Sequence, residues 1–176
     1  MIKAIETRYA DCLFRSRLEA RWAVFFTEIG IPWKFEPEGF ALTNGRRYLP
    51  DFFLPKFCGE RGLWVEVKPE GGDFTTARQF AKDSGASILL AEGEPDCIVY
   101  DVAEGDKLTD GCFYSKYLPG GINGNERRLY FSTGQETLSD SGEKDYGTGL
   151  VYNAVVAAKS ARFEYGQTPK FRRPNP

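Results

Sequence analysis

The chain has 176 residues, 41% hydrophobic and 15% aromatic, with fourteen Phe and nine Tyr; that suits one folded domain with a core and excludes a disordered chain or two full domains. It has no histidine, and its four cysteines form no CxxC pair, which excludes imidazole-based triads, HExxH proteases and a structural zinc site. The net charge of −2 is unevenly spread: residues 1–91 carry 13 basic and 12 acidic side chains, 92–150 carry 5 and 12, and 151–176 carry 5 and 1, so only the middle of the chain is unsuited to a polyanion.

Residues 16–30 give the first strong pattern. Leu18, Trp22, Phe25, Phe26 and Ile29 recur at i, i+4, i+7, i+8 and i+11, which predicts an amphipathic helix that Gly30 ends and Pro32 keeps from resuming. Residues 33–42, 45–55 and 62–69 then read as three strands, the last stopped by Pro69. A second helix is expected from about Asp73, as its cap, to Ser84, closed by Gly85. It leads into the apolar run 86–91, suited to a covered strand, with one more strand at 97–102.

From 103 to 149 the composition turns to Gly, Ser, Asp and Asn, with GGINGN at 120–125 as the loop of a hairpin. Residues 150–166 read as a closing helix and the rest as a basic tail. The chain thus divides into a core over 1–102, an acidic Gly-rich insertion or hairpin arm over 103–149, and a C-terminal helix with basic tail over 150–176 that packs on the core. No apolar run reaches the roughly 18 residues of a membrane span, and the first residues lack the apolar stretch of a secretory signal. A soluble, cytoplasmic protein without membrane contact is expected.

The αβββαβ order of residues 14–91, with Glu19 in the first helix, Pro50-Asp51 on the second strand and Glu66-Val67-Lys68 on the third, resembles the core of the PD-(D/E)xK nuclease superfamily. The runs RLEARWAVFF, YLPDFFLP and LWVEVKP are similar to small nucleases carried by bacteriophages. The resemblance covers about half of the chain. It implies an α/β restriction-endonuclease-like fold, with a central mixed sheet flanked by helices. It also implies a Mg²⁺- or Mn²⁺-dependent DNA endonuclease, working in the cytoplasm of a bacterial or phage-infected cell in DNA processing, recombination or restriction. In that reading Asp51 and Glu66 bind metal, the Val67 carbonyl completes the shell, Lys68 assists the nucleophile, and Glu19 supports the metal or its water.

The spacing has its own physical reason. Side chains alternate along a strand, so Glu66 and Lys68 share one face while Leu63, Val65 and Val67 take the other. Asp51 on the neighbouring strand can be brought beside Glu66 by register, and two such carboxylates suit one hard cation that relieves their repulsion. Each residue also has a plainer reading. Glu-x-Lys on a strand is often an exposed ion pair, and Pro-Asp is often a turn. Inside YLPDFFL, however, an unpaired aspartate would be costly to bury. Glu19 has two readings, because Ser16-x-x-Glu19 is also a capping box.

Glu36 and Glu38 read as an exposed strand face, and Trp22, Trp33 and Trp64 as core. Gln79 and Lys82 resemble positions where some family members place a helper residue. DNA contacts are expected from Arg15 and Arg21 on the first helix and from Lys159, Arg162 and Arg172 near the end. A homodimer is left open. A non-catalytic nucleic-acid-binding or scaffold protein on the same fold, or a nuclease subunit active only with a partner, are the competing readings.

Overall fold

The computed structural model describes residues 6–55, 61–96, 100–114, 128–132 and 148–163. Among the described residues the fold is mixed α/β, with three helices and a central seven-stranded mixed sheet. The sheet order is β11-β10-β9-β8-β7-β6-β3, formed by Arg128–Ser132, Lys107–Tyr114, Tyr100–Glu104, Ser87–Glu92, Leu63–Lys68, Phe52–Leu54 and Lys34–Phe35. Among the described strands of this sheet only β7 and β8 run parallel. A parallel pair needs a crossover, and helix α2 (Thr75–Ser84) supplies it.

Helix α1 (Arg17–Glu28) is the centre of the main core. Ser16 caps its start by accepting the Glu19 N–H. At its end Gly30 takes a left-handed φ of 63°, and the amides of Gly30 and Ile31 bond back to the Thr27 and Phe26 carbonyls at 2.9 and 2.8 Å. These two bonds form a Schellman stop, which explains why the helix closes at the predicted glycine. Trp22, Phe25 and Phe26 are fully buried against Phe52, Leu54, Leu63, Val65, Leu89 and Val102 on one face of the sheet. Truncating a ring such as Phe26 would cost about 3–5 kcal/mol.

Two further elements cover α1. Helix α3 (Thr148–Ser160) contributes Ala154, Val155 and Ala158 to the same core. A small hairpin, β1 (Thr7–Tyr9) and β2 (Cys12–Phe14), adds Tyr9 and Phe14. Its turn residues Ala10 and Asp11 both have positive φ, 47° and 62°. That turn usually takes Asn-Gly, so nothing in the residue types announced it.

The strand expected over 33–42 is broken. Glu36 adopts φ +43°, Pro37 follows, and the chain leaves the sheet after β3. It pairs instead as β4 (Phe40–Ala41) with β5 (Arg47–Tyr48) in a separate hairpin. The strand expected over 45–55 divides in the same way, with β5 in the hairpin and β6 back in the sheet. Phe40, Leu42 and Tyr48 of this hairpin meet Trp64, Phe80, Ala81, Ile88 and Leu90 in a second core between the sheet and α2. The sheet face that carries Glu66 and Lys68 is therefore partly roofed rather than wholly an open cleft.

At the far edge, β10 and β11 extend the sheet beyond β9 as an antiparallel pair, so the segment expected as an insertion or arm contributes two sheet strands. Asp73 lies two residues before the first residue of α2, where its Oδ1 accepts the Thr75 N–H at 2.8 Å. The tail from 164 on lies outside the described residues. No helix among the described residues is long and apolar enough to cross a membrane.

Candidate functional site

Strands β6 and β7 pair with Phe52 opposite Val65 and Phe53 opposite Trp64. Continued by one residue, that register sets Asp51 opposite Glu66, and directly opposed residues in an antiparallel pair share a face with Cβ atoms about 4.5–5.5 Å apart. Phe52 and Val65 take the α1 face, so Asp51 and Glu66 take the other, together with Lys68. The next opposed pair would be Val67 and Pro50. Proline has no N–H, so Pro50 cannot take up the Val67 carbonyl as a normal ladder partner would.

Both carboxylates are buried, Asp51 being 2% and Glu66 5% exposed. Each has both of its oxygens held. Asp51 Oδ2 accepts the Val67 N–H at 2.7 Å, and Oδ1 accepts from Arg15 Nη2 at 2.7 Å. Glu66 Oε2 accepts the Tyr48 hydroxyl at 2.7 Å, and Oε1 lies 2.7 Å from Lys68 Nζ. Burial first, then the charge of Glu66, pushes the Asp51 carboxyl up to about 8. Burial works against the Lys68 charge, but the hydrogen bond and charge of Glu66 outweigh it and the ammonium is stabilised.

The backbone around these residues is pinned. The Glu36 N–H donates to the Asp51 carbonyl and the Gly93 N–H to the Lys68 carbonyl, at 2.9 and 2.8 Å. The Gly93 carbonyl in turn accepts from Trp22 Nε1 at 2.9 Å, which couples the end of β7 to α1. After Lys68 the chain turns tightly, with the Gly72 N–H on the Pro69 carbonyl at 2.9 Å. A Cβ at Gly72 would collide with the Lys68 Cβ, so glycine lets the turn fold back over the lysine stem.

Glu19 is 8% exposed and serves the helix start. Its Oε1 accepts the Ser16 hydroxyl at 3.0 Å, its Oε2 accepts the Arg15 N–H at 3.0 Å, and its own N–H donates to Ser16 Oγ at 3.2 Å. Burial raises its carboxyl above the usual range, and Ser16 and Arg15 oppose that. Its charge is also felt by Asp51, so the cap lies at the border of the site.

Two site residues are not evident from sequence. Tyr48 carries no signal beyond its place in an apolar alternation. Glu36, which reads as exposed strand face, reaches Arg15 Nη2 at 2.7 Å and sits beside the site. Its left-handed φ is uncommon for a glutamate and is the kind of strain that collects at functional sites.

The basic residues fall in different places. Arg15 lies on the site. Arg21 is ion-paired with Glu94, and Lys159 with Asp96 at 2.7 Å, so neither is a free cation. Arg162 is exposed just after α3, and Arg172 lies outside the described residues. Gln79 bonds to Asp83 at 2.7 Å and Lys82 to Asp106 at 2.9 Å, so these side chains brace α2 and its surroundings and bond to neither Asp51 nor Glu66.

Among the described residues no three Asp, Glu, Cys or His side chains already converge on one point. The donor chemistry nevertheless fits a hard divalent cation: two buried carboxylates, Asp51 and Glu66, that share one face of the sheet. Two protein cations, Arg15 and Lys68, offset that negative charge in the present arrangement. Comparisons of the chain with family models, curated proteins and solved structures find no match.

Proposed function

We propose that this protein is a divalent-metal-dependent nuclease with a restriction-endonuclease-like core of the PD-(D/E)xK kind, hydrolysing DNA phosphodiester bonds as an endonuclease in a bacterial or phage setting. The observation that carries the reading is the buried pair Asp51 and Glu66 with Lys68 on the same sheet face. Burying two like charges is costly, and such an arrangement has a purpose when a cation and a phosphate complete it.

The order of α1, β3, β6, β7, α2 and β8 supports the same reading, since it follows the αβββαβ pattern with the β4–β5 hairpin inserted. Asp51, Glu66 and the Val67 carbonyl would hold Mg²⁺ or Mn²⁺, which supplies Lewis-acid activation of the scissile phosphate and of a bound water. Lys68, kept protonated by Glu66, has its ammonium where it can orient the attacking water and offset charge building on the phosphate oxygens. Tyr48 holds one oxygen of Glu66 so that the carboxylate keeps its direction. Glu19 fixes the start of α1 and with it the position of Arg15.

A second reading has one observation in its favour. Every carboxylate oxygen of Asp51, Glu66 and Glu19 already has a protein partner, as a non-catalytic nucleic-acid-binding relative would tolerate indefinitely. Cleavage assays of the purified chain on duplex, branched and single-stranded DNA with Mg²⁺ or Mn²⁺ decide between them. The nuclease reading expects cleavage that EDTA stops, and that Asp51→Asn and Lys68→Ala each lower by at least about a hundredfold while their melting temperatures show a folded protein. Cleavage by Asp51→Asn at the wild-type rate would overturn it.

A further inference from the structure

A phosphodiester substrate must be gripped on both sides of the bond that reacts, and much of the positive charge around this core is already committed. Arg21 answers Glu94, Lys159 answers Asp96 and Lys82 answers Asp106. A cation in such a pair must give up a partner before it can hold a phosphate, which reduces its net gain.

The β4–β5 hairpin is different. Arg46 and Arg47 are both exposed, and among the described residues neither forms an ion pair. Directly after them come Tyr48, whose hydroxyl is 2.7 Å from Glu66 Oε2, and Leu49, a large apolar side chain left 39% exposed two residues before Asp51. Alternation along the strand turns Arg47 and Leu49 outward, opposite to the buried Tyr48. Arg46 lies toward the Lys68 end of the site: after the hydrogen bonds from Thr75, the charges of Arg46 and Lys68 both help hold the Asp73 carboxyl below its usual range.

The hairpin is also fixed in place. The Thr43 N–H and hydroxyl donate to the two oxygens of Asp83 on α2, both at 2.8 Å. The Phe40 ring lies 4.7 Å and the Tyr48 ring 5.4 Å, centroid to centroid, from that of Phe80. Asn44 Oδ1 accepts the Arg46 N–H at 3.0 Å, and Gly45 takes the turn with φ +79°. Two guanidinium groups that form no ion pair among the described residues, and an exposed leucine, are thus held on a braced rim that touches the site through Tyr48.

We infer that the β4–β5 hairpin is the rim that holds DNA at this site, with Arg46 and Arg47 each taking a backbone phosphate beside the reacting bond and Leu49 packing on a neighbouring sugar or base. The inference rests on the nuclease reading for its substrate, and it moves the principal DNA contacts from the α1–α3 side, where Arg21 and Lys159 are paired, to the α2 side.

The test is fluorescence anisotropy of a labelled DNA duplex over a salt series, with Ca²⁺ in place of Mg²⁺ to suppress cleavage. For the full chain carrying Arg46→Ala and Arg47→Ala, affinity should fall about tenfold or more, and the slope of log K against log salt should fall by about 1.8, roughly 0.9 for each phosphate that is no longer neutralised. Arg46→Lys with Arg47→Lys should keep the slope, since the charges remain. Arg21→Ala with Lys159→Ala should also keep it. A double alanine variant that melts like the wild type and binds with the same affinity and slope overturns the inference, as does loss of the slope in the Arg21 and Lys159 variant alone. If hairpin-dependent binding is found but no metal restores cleavage, the nuclease reading fails while the DNA rim stands.

Discussion

Arg15 Nη2 lies 2.7 Å from Asp51 Oδ1, so the most buried carboxylate of the site is neutralised by a side chain that is itself 58% exposed. Glu36 Oε1 lies equally near the same nitrogen. Arg15 therefore has a second carboxylate at hand if Asp51 is claimed by another cation. Removing Arg15 takes away a competitor for Asp51, and Arg15→Ala should bind Mn²⁺ more tightly than the wild type. Solvent reaches the pair from its exposed arginine side and screens it, so its worth is about 1 kcal/mol, roughly fivefold in affinity. Electron paramagnetic resonance of free Mn²⁺ near pH 8 reads this directly. Weaker binding by the variant would mean that Arg15 helps assemble the site instead of standing in for its cation.

Asp51 makes the stability of the metal-free protein depend on pH in an unusual direction. Its folded value of about 8 stands above the ordinary 3.8, so the folded chain binds this proton more tightly than the unfolded chain. The stabilisation is complete below about pH 4 and is lost as pH rises toward 8. Asp51→Asn carries no such proton. In EDTA, the melting temperature of Asp51→Asn relative to wild type should therefore rise across that window, by at least about 2–4 °C for each kcal/mol involved. Saturating Mg²⁺ should raise the wild-type melting temperature at the alkaline end and leave the variant nearly unchanged. Parallel pH curves for the two proteins in EDTA would show that Asp51 is ionised throughout.

Much of this was legible from periodicity. The spacing of Trp22, Phe25, Phe26 and Ile29 marked α1 and its stop, and strand alternation put Glu66 and Lys68 on one face with Val65 and Val67 on the other. Alternation could not say that the face of Glu66 would be partly roofed. That depends on Glu36, whose left-handed φ takes the chain out of the sheet and creates the β4–β5 hairpin, and no residue-type rule predicts a left-handed glutamate. Tyr48 was unreadable for the same reason, because its partner is fixed by where the hairpin lands on α2. Sequence does not separate the roles of Arg15 and Arg21, because ion pairing is a long-range property: Asp51 lies 36 residues from Arg15, and the position of Arg15 just before the cap Ser16 rather than on α1 is fixed only by the fold.

Glu19 offers a clean separation of helix capping from site chemistry. Both of its oxygens serve the start of α1, through Ser16 and the Arg15 N–H. Glutamine can accept the Arg15 N–H and direct its amide at Ser16, so Glu19→Gln should change stability by less than about 1 kcal/mol. Alanine can make neither bond and should cost about 1 kcal/mol, some 2–4 °C in melting temperature. If the carboxylate charge also serves the site, Glu19→Gln will lower cleavage and Mn²⁺ affinity at an unchanged melting temperature. Wild-type activity in Glu19→Gln would assign the residue to capping alone.

Tyr48 is the residue whose loss should reveal how firmly Glu66 must be held. Burial first, and then the adjacent Glu66 charge, drives its phenol far above the usual range, so across any working pH it remains a donor to Glu66 Oε2. Tyr48→Phe keeps the ring against Phe80 and removes only the hydroxyl, leaving a buried carboxylate oxygen short of one partner. Such a loss costs about 1–3 kcal/mol, or roughly 4–8 °C in melting temperature at the middle of that range. The stability change alone would not distinguish an orienting hydroxyl from one that merely satisfies the core. Metal binding does. A group that aims a ligand typically contributes about 10–100-fold to metal affinity, so Mn²⁺ titration of folded Tyr48→Phe should give an affinity at least about tenfold weaker than wild type. Cleavage at saturating Mn²⁺ should then recover much of the lost rate, because Lys68 and Asp51 are untouched. A variant that melts lower yet binds Mn²⁺ as tightly as wild type would confine Tyr48 to the core and leave Lys68 as the group that sets the direction of Glu66.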